Sequence, residues 1–291
     1  MQQNDQQFCL EQVMGCDRRF GITRWYAPRE SVAALVALYA LLASLEKMLC
    51  EIRDETVFLA KWQWWHGELL GKDSGDSIHP ITRQLHQTGC IERWNRADLQ
   101  HLLDGYMRRR DPAPPIDAQQ FIVQCEQTGR YPMSLELQLG HDRGVPQMDQ
   151  WLSSMAVASG LFRLLRESTR GGGQRYWWLP MNSLAQFSIS RRELLAGHND
   201  GSHVVILARM MDIALGYHDR WQQGLVGSGG AEDEIRHWKR SHRHWLAQLL
   251  SMGRCLSRLR QMPMSRYRAE FFFNRPGDVW ALWRGLKKLS V

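Results

Sequence analysis

Three histidines that lie close together in the chain, His237, His242 and His244, form the first group whose side chains could bind a metal ion. Transition metals bind neutral imidazoles, and an acidic or thiolate side chain usually completes the site. Here lysine and arginine occupy the positions between the histidines, from Arg236 to Arg243, and their charges repel a divalent cation. We therefore interpret this stretch as the solvated basic face of a helix.

The glycine run Gly171 to Gly173, with Arg175 shortly after it, is a second candidate because glycine loops can wrap a phosphate group. Nucleotide-binding loops of this kind follow a strand and lead into a helix. This run has the opposite order, since a predicted helix precedes it and a predicted extended segment, Gln174 to Leu179, follows it. We interpret the run as a helix terminator.

The composition narrows the classes of function. A hydrophobic share of 44% and a charged share of 23% over 291 residues are typical of a globular protein and exclude a disordered or fibrous chain. The formal net charge of +7 is modest for this length, and no nucleic-acid-binding motif accompanies the basic clusters Arg108 to Arg110 and Arg236 to Arg243. An anionic membrane surface suits the same charge, and the abundant tryptophan favours it, since tryptophan is enriched at membrane interfaces.

The cysteines and the apolar segments indicate the compartment. Six cysteines occur without a CxxC pair, so we expect free thiols rather than a disulfide framework or a zinc site. Residues 1–7 lack the features of a secretory signal. The apolar run from Ser31 to Leu45 is shorter than the roughly 20 residues that span a bilayer. We expect a cytoplasmic protein, at most peripheral on the cytoplasmic face of a membrane.

Helices must position whatever site exists, because apolar residues recur with helical spacing along almost the whole chain. A second short segment, Tyr267 to Phe273, is predicted to be extended, and no repeat or long linker divides the chain. The sequence therefore predicts one all-α domain of about ten helices over residues 16–291, after an N-terminal tail over residues 1–15. The predicted helices are Glu30–Arg53, Val57–Leu70, Arg96–Arg109, Ile116–Gln127, Pro132–Leu139, Gln147–Arg166, Arg191–Ala196, His203–Leu225, Ala231–Arg260 and Pro276–Leu289.

Three blocks of sequence, in the right order, resemble the squalene/phytoene synthase family. The resemblance covers about residues 16–190 and implies the isoprenoid-synthase fold, a helical bundle around an apolar tunnel for prenyl chains. The blocks are Cys16–Phe20 with Ala27–Glu30 and Ala37–Leu41, then Trp62–Trp65 with His79-Pro80, and finally Leu164–Arg166 with Arg175–Pro180.

The resemblance implies head-to-head joining of two prenyl diphosphates, in which two aspartate-rich motifs on facing helices hold Mg²⁺ ions on the diphosphate. By position, the first motif falls on Glu46 and Cys50, with Lys47 where a second aspartate often stands. The second motif falls on Glu167 and Arg170. Only Glu46 and Glu167 remain acidic, so these two are the metal candidates if the protein is active, and the set is a poor Mg²⁺ site.

The same resemblance provides the remaining site candidates. Charge-assisted hydrogen bonds could bind the diphosphate directly through a first set, namely Arg166, Arg170, Arg175 and Tyr176. A second set could line the tunnel, namely Tyr39, Trp62, Trp65 and Leu164. For the tryptophans of that set, packing in the core is the alternative role.

A non-catalytic branch of the family, which includes assembly factors for mitochondrial respiratory complex I, resembles this chain more closely because it also lacks both aspartate motifs. The resemblance to that branch rests on Ala37 to Trp65 and on Leu179 to Met181. We therefore expect a pseudoenzyme without a cofactor that binds an isoprenoid lipid, a membrane surface or a partner protein, with assembly of a respiratory complex as the specific hypothesis. The alternative is an active head-to-head prenyltransferase with divergent Mg²⁺ ligands. A binding module for acidic polymers is a third reading that rests on charge alone.

Overall fold

The computed structural model describes residues 2–71, 79–111, 113–140, 148–169, 177–190, 193, 202–227, 232–260 and 276–288. Fourteen α-helices and no strand occur among these residues, which confirms the all-α prediction. The helices are α1 Gln2–Cys16, α2 Phe20–Thr23, α3 Val32–Glu51, α4 Glu55–Leu70, α5 Pro80–Gln87, α6 Cys90–Arg93, α7 Arg96–Arg108, α8 Ala118–Leu137, α9 Met148–Thr169, α10 Met181–Gln186, α11 Ser202–Gly227, α12 Glu232–Ser241, α13 Arg243–Leu259 and α14 Pro276–Lys288.

Side-chain caps define where several helices begin. Asp54 accepts a hydrogen bond from the Val57 amide at the start of α4, and Asp117 accepts one from the Gln120 amide at the start of α8. Asn95 caps α7 in the same way. Each cap satisfies an amide that has no partner within the helix, which contributes about 1 kcal/mol.

The first of two hydrophobic cores surrounds α3, against which α1, α4, α5 and α7 pack. Helix α3 is apolar on nearly all sides, as a central core helix must be. By length and composition, the helical stretch Arg29–Glu51 could cross a membrane, whereas the sequence predicted that the apolar run Ser31 to Leu45 is too short to do so. Two thirds of the most apolar window of this stretch is buried in the protein.

The second core lies between α8, α9, α11 and α13. Two glycines let α8 and α9 approach closely. A Cβ atom on Gly160 would overlap the carbonyl oxygen of Cys125, and one on Gly129 would overlap that of Ala156. The backbones of the two helices are therefore in direct contact at this crossing.

The observed helices differ from the predicted ones at several places. The stretch predicted as an N-terminal tail forms α1 instead, because Cys9 and Val13 are buried in the first core and Asp5 pairs with Arg83. Helix α8 continues through Pro132, where the sequence predicted a break. The predicted helix Ala231–Arg260 is divided into α12 and α13. The predicted helix Arg191–Ala196, apart from residue 193, and the predicted extended segment Tyr267–Phe273 lie outside the described residues, as do the first three residues of Gln174–Leu179.

The cysteines agree with their prediction. All six are free, and Cys9, Cys90, Cys125 and Cys255 are buried. Burial raises the pKa of the Cys90 thiol to about 11, because the hydrogen bond with Thr88 lowers the pKa by less than burial raises it. Such a thiol is a packing group rather than a nucleophile.

Candidate functional site

Arg166, near the end of α9, lies between the two cores and binds two carboxylates. Its Nε donates to Oε1 of Glu46 on α3 at 2.9 Å, and its Nη2 donates to the other oxygen of the same carboxylate. Its Nη1 donates to Oδ2 of Asp17 at 2.8 Å. All three side chains are less than a tenth exposed. Arg166 is therefore the buried counter-ion of Glu46, one of the two metal candidates.

Asp17 receives a second guanidinium from Arg19, whose Nε donates at 2.9 Å and whose backbone amide donates at 3.1 Å. Burial alone would raise the pKa of the Asp17 carboxyl, but the charges of Arg19 and Arg166 outweigh it and hold that pKa at about 2. Asp17 and Arg19 belong to the first block of the family resemblance, yet sequence reasoning assigned them no role.

Asp17 is expected to make the stability of the protein depend on acidity. Its pKa in the folded protein, about 2, lies below the unfolded value of 3.8, so the stabilisation is complete above about pH 5 and is lost as the pH falls towards 2. The difference corresponds to about 2 kcal/mol. Urea unfolding at pH 7, 4 and 2.5 should show a smaller loss for Asp17→Asn than for the wild type. An identical pH dependence of the two proteins would contradict this assignment.

Glu167, the second metal candidate, follows Arg166 on α9 and pairs with Nη1 of Arg109, just after α7. The Arg109 guanidinium also lies 4.1 Å from the ring centroid of Tyr106. Burial raises the pKa of the Glu167 carboxyl, and the charge of Arg109 opposes that rise. The sequence shows Arg109 only as part of the basic cluster Arg108 to Arg110 and does not reveal that it pairs with Glu167.

These side chains do not fit a cluster of Mg²⁺ ions. Magnesium requires carboxylate oxygens that are free to enter an octahedral shell. Here guanidinium groups bind both oxygens of Asp17 and of Glu46 and Oε1 of Glu167, and three arginines pair with these three carboxylates. No group of three or more histidine, cysteine and acidic side chains that could hold a metal occurs in the described part of the chain. The six paired residues, which we call the central ion-pair cluster, are Asp17, Arg19, Glu46, Arg109, Arg166 and Glu167.

Of the two cations that the sequence predicts at the motif positions, Lys47 does not join the central ion-pair cluster. Lys47 has a side chain that is 55% exposed and lies 3.9 Å from Glu51, so it faces away from Arg166. Cys50 is half-buried in α3. Arg170, Arg175 and Tyr176 lie outside the described residues.

A second buried polar network lies beside the cluster. The Tyr39 hydroxyl donates to Oε2 of Glu136 at 2.7 Å, and Nδ1 of His244 donates to Oε1 at 2.7 Å. Nε2 of Gln248 donates to the Thr23 hydroxyl at 2.7 Å, and that hydroxyl lies 3.4 Å from the far nitrogen of His244. Burial raises the pKa of Tyr39, and the adjacent Glu136 carboxylate raises it further. Tyr39 is therefore a neutral donor that helps to join α3 to α8 and α13.

The interpretation of His237, His242 and His244 as one solvated basic face was wrong for two of them. His242 and His244 are buried, whereas His237 is exposed. The ring of His242 stacks on Trp238 at 4.7 Å. His242 follows buried Trp238 by four residues and contacts its carbonyl oxygen, and His244 contacts buried Glu136, so both rings lie on the inner side.

Little empty space remains next to Arg166. A cavity of about 30 Å³ lies there, with room for roughly two water molecules. Among its lining residues are Tyr39, Phe162 and Arg163. The guanidinium of Arg19 lies 3.8 Å above the Phe162 ring, so an aromatic side chain and a cation fill the space between α3 and α9.

Of the four candidates for lining a tunnel, only Tyr39 borders this cavity. Trp65 and Leu164 are fully packed in the two cores, and half-buried Trp62 donates from Nε1 to the Leu103 carbonyl at 3.1 Å. Trp64, their neighbour, is 40% exposed. Core packing is therefore the observed role of the α4 tryptophans that are buried.

A larger cavity of about 330 Å³ opens between α7 and α8, and Arg109 is one of the residues that line it. Its walls include the paired rings of His101 and Tyr131, whose centroids are 5.0 Å apart, together with Arg108 and Trp177. A buried acceptor, Oε1 of Gln124, belongs to the same wall and has no hydrogen-bond partner among the residues that the structure describes. The volume lies at the lower end of the range for small-molecule sites.

Comparison with known proteins identifies the family. The family model described as squalene/phytoene synthase matches residues 13–268. The chain belongs to the squalene/phytoene synthase family. Glu46 and Glu167, which the sequence resemblance predicts as the acidic motif positions, are bound by arginines of the same chain. A search of the curated proteins found no match.

Two solved structures show that the fold is shared. The crystal structure of squalene synthase HpnC from Alicyclobacillus acidocaldarius is 14% identical, with a TM-score of 0.66, and the alignment covers 89% of this chain and 94% of that one. A dehydrosqualene synthase in complex with a ligand is 14% identical, with a TM-score of 0.69, and the alignment covers 99% and 96%. At this identity the squalene/phytoene synthase family fold is shared, and activity is a separate question.

Proposed function

We propose that this member of the squalene/phytoene synthase family is a pseudoenzyme that binds an isoprenoid ligand without ionising it. The observation that carries the proposal is the occupation of Glu46 and Glu167 by Arg166 and Arg109. Loss of a diphosphate leaving group requires metal ions to stabilise the developing charge. A centre whose carboxylates are already neutralised by guanidinium groups has no such capacity.

The cavity between α7 and α8 is the place where we expect the ligand. Arg108 lies on its wall, and a guanidinium group binds phosphate oxygens in paired hydrogen bonds. Leu102, Tyr131 and Trp177 contribute apolar and aromatic surface, and Asp111 is the acidic residue among those that line the cavity. Members of this family bind prenyl diphosphates, so a short isoprenoid with an anionic head group fits both parts of the cavity.

The cellular role that we propose is that of a cytoplasmic scaffold, with assembly of a respiratory complex as the specific hypothesis. Support comes from the resemblance of Ala37 to Trp65 to the non-catalytic branch and from the self-neutralised centre. The role requires neither Mg²⁺ nor another cofactor.

An assay for diphosphate release tests the catalytic half of the proposal. Purified protein incubated with farnesyl or geranylgeranyl diphosphate and Mg²⁺ should release no diphosphate above the rate without protein. Calorimetric titration of the same ligands in the presence of a chelator should nevertheless detect binding, weakened by Arg108→Gln. Matched Glu46→Gln and Glu167→Gln variants reveal the alternative, an active prenyltransferase. If the wild type releases diphosphate and either substitution abolishes that release, the pseudoenzyme proposal is overturned.

A further inference from the structure

Helix α14 has two sharply different faces. Leu282 and Leu286 are buried on the inner face, and Asp278 is 3% exposed. The Asp278 carboxylate accepts from Nε of Arg254 at 3.2 Å and from Nη1 of Arg258 at 2.6 Å, both on α13. These contacts fix the orientation of α14 on the bundle and decide which residues point away from it.

The outer face consists of two tryptophans and two cations. Trp280 is 60% exposed and Trp283 is 50% exposed. The guanidinium of Arg284 lies 4.2 Å from the Trp280 ring centroid, and the ammonium of Lys287 lies 5.1 Å from that of Trp283. In each pair the cation is four residues after the indole, so the four side chains occupy one stripe of the helix.

The charge of this stripe has a single sign. Lys288 adds a third exposed cation at the end of α14. The one acidic residue of the helix, Asp278, is on the inner face and already neutralised by α13. An occupant of the outer face must therefore be anionic and must accept two indole rings.

An anionic bilayer surface offers both features at the required depths. Indole rings prefer the boundary between the acyl chains and the head groups, where they are partly apolar and partly hydrated. Lysine and arginine reach from that level to the lipid phosphates. A convex helix face with indoles and cations in one stripe has the pattern of a helix that lies in the plane of a membrane.

We propose that the outer face of α14 docks this protein on a membrane surface that contains anionic phospholipid. The inference goes beyond the proposed function, because it assigns a surface on α14 and is independent of the central ion-pair cluster and of catalysis.

Vesicle co-sedimentation of the full chain tests the docking surface. The protein should bind vesicles of phosphatidylcholine with phosphatidylglycerol at low salt, and bind far less to phosphatidylcholine alone. Removing two cations, as in Arg284→Gln/Lys287→Gln, should weaken binding about 30-fold, since each cation near the surface contributes roughly fivefold. The double variant Trp280→Ser/Trp283→Ser should weaken it about tenfold or more, because the indoles lose their insertion.

The matched control is Trp25→Ser. Trp25 is 77% exposed and is also accompanied by an arginine, Arg24, at 5.2 Å. Trp25 lies two residues after Thr23, which contacts His244 and Gln248 in the first half of α13. Helix α14 instead pairs with Arg254 and Arg258, nearer the end of α13. The control should bind as the wild type does. Melting temperatures verify that every variant is folded.

Several outcomes would overturn the proposal. They are equal affinity for both vesicle types, equal weakening by Trp25→Ser, and binding unaffected by the α14 variants. Capture by acidic proteins without any binding to vesicles would likewise assign the surface to a protein partner instead.

Discussion

Replacement of Arg166 with alanine is expected to lower the free energy of unfolding by about 3–5 kcal/mol. Arg166 is the buried partner of both Glu46 and Asp17, so its loss leaves one carboxylate without its main counter-ion inside the protein. Isolated buried charges are far more costly than buried pairs, because desolvation is no longer offset by the attraction of the partner. Urea unfolding followed by circular dichroism measures the difference.

A surface ion pair provides the matched control for Arg166. Arg260 pairs with Asp212, and both side chains are about half exposed, so Arg260→Ala should cost less than about 1 kcal/mol. The double variant Arg166→Met/Glu46→Met removes both charges of one pair and should recover most of the lost stability. Equal effects of Arg166→Ala and Arg260→Ala would contradict the buried ion-pair assignment.

Substitution of Gly160 with alanine should be the second large effect, with a loss of about 3 kcal/mol in the free energy of unfolding. The added Cβ would overlap the Cys125 carbonyl oxygen, which belongs to the backbone of α8 and cannot rotate away. Helices α8 and α9 must therefore separate, and the second core between them loses its packing. Thermal unfolding and urea unfolding both report this loss.

The control for Gly160 is another helical glycine with open space around it. A Cβ on Gly216 of α11 meets nothing within 4 Å. Gly216→Ala should therefore raise the free energy of unfolding by about 0.5–1 kcal/mol, because alanine restricts the unfolded chain and favours the helix. If both substitutions destabilise the protein, the loss arises from the flexibility of glycine and not from the close contact between α8 and α9.

The helical fold was predictable because apolar periodicity is a local property of the sequence. The helix predictions fail where contacts with residues far along the chain determine the local structure. Helix α1 looked like a polar tail, since its burial depends on the first core and on the pairing of Asp5 with Arg83, 78 residues away. Pro132 predicted a break, but the packing of α8 against α9 outweighs the hydrogen bond that proline cannot make.

The site was predictable only in part. The family resemblance predicts Glu46 and Glu167 as the acidic motif positions, but the partners of these residues depend on tertiary structure. Arg109 is 58 residues from Glu167, and Arg166 is 120 residues from Glu46. Arg166 was expected to bind diphosphate, whereas its guanidinium nitrogens bind carboxylates of the protein. Sequence spacing locates an acidic side chain but does not reveal which cation satisfies it.

The central ion-pair cluster has a further consequence for the environments in which the protein folds. A carboxylate that relies on a dissolved cation is occupied to an extent set by the concentration of that cation. Arg166 and Arg109 are tethered to the chain, so their effective concentration at Glu46 and Glu167 is constant. Glu46 and Glu167 therefore have their arginine counter-ions as soon as the chain has folded.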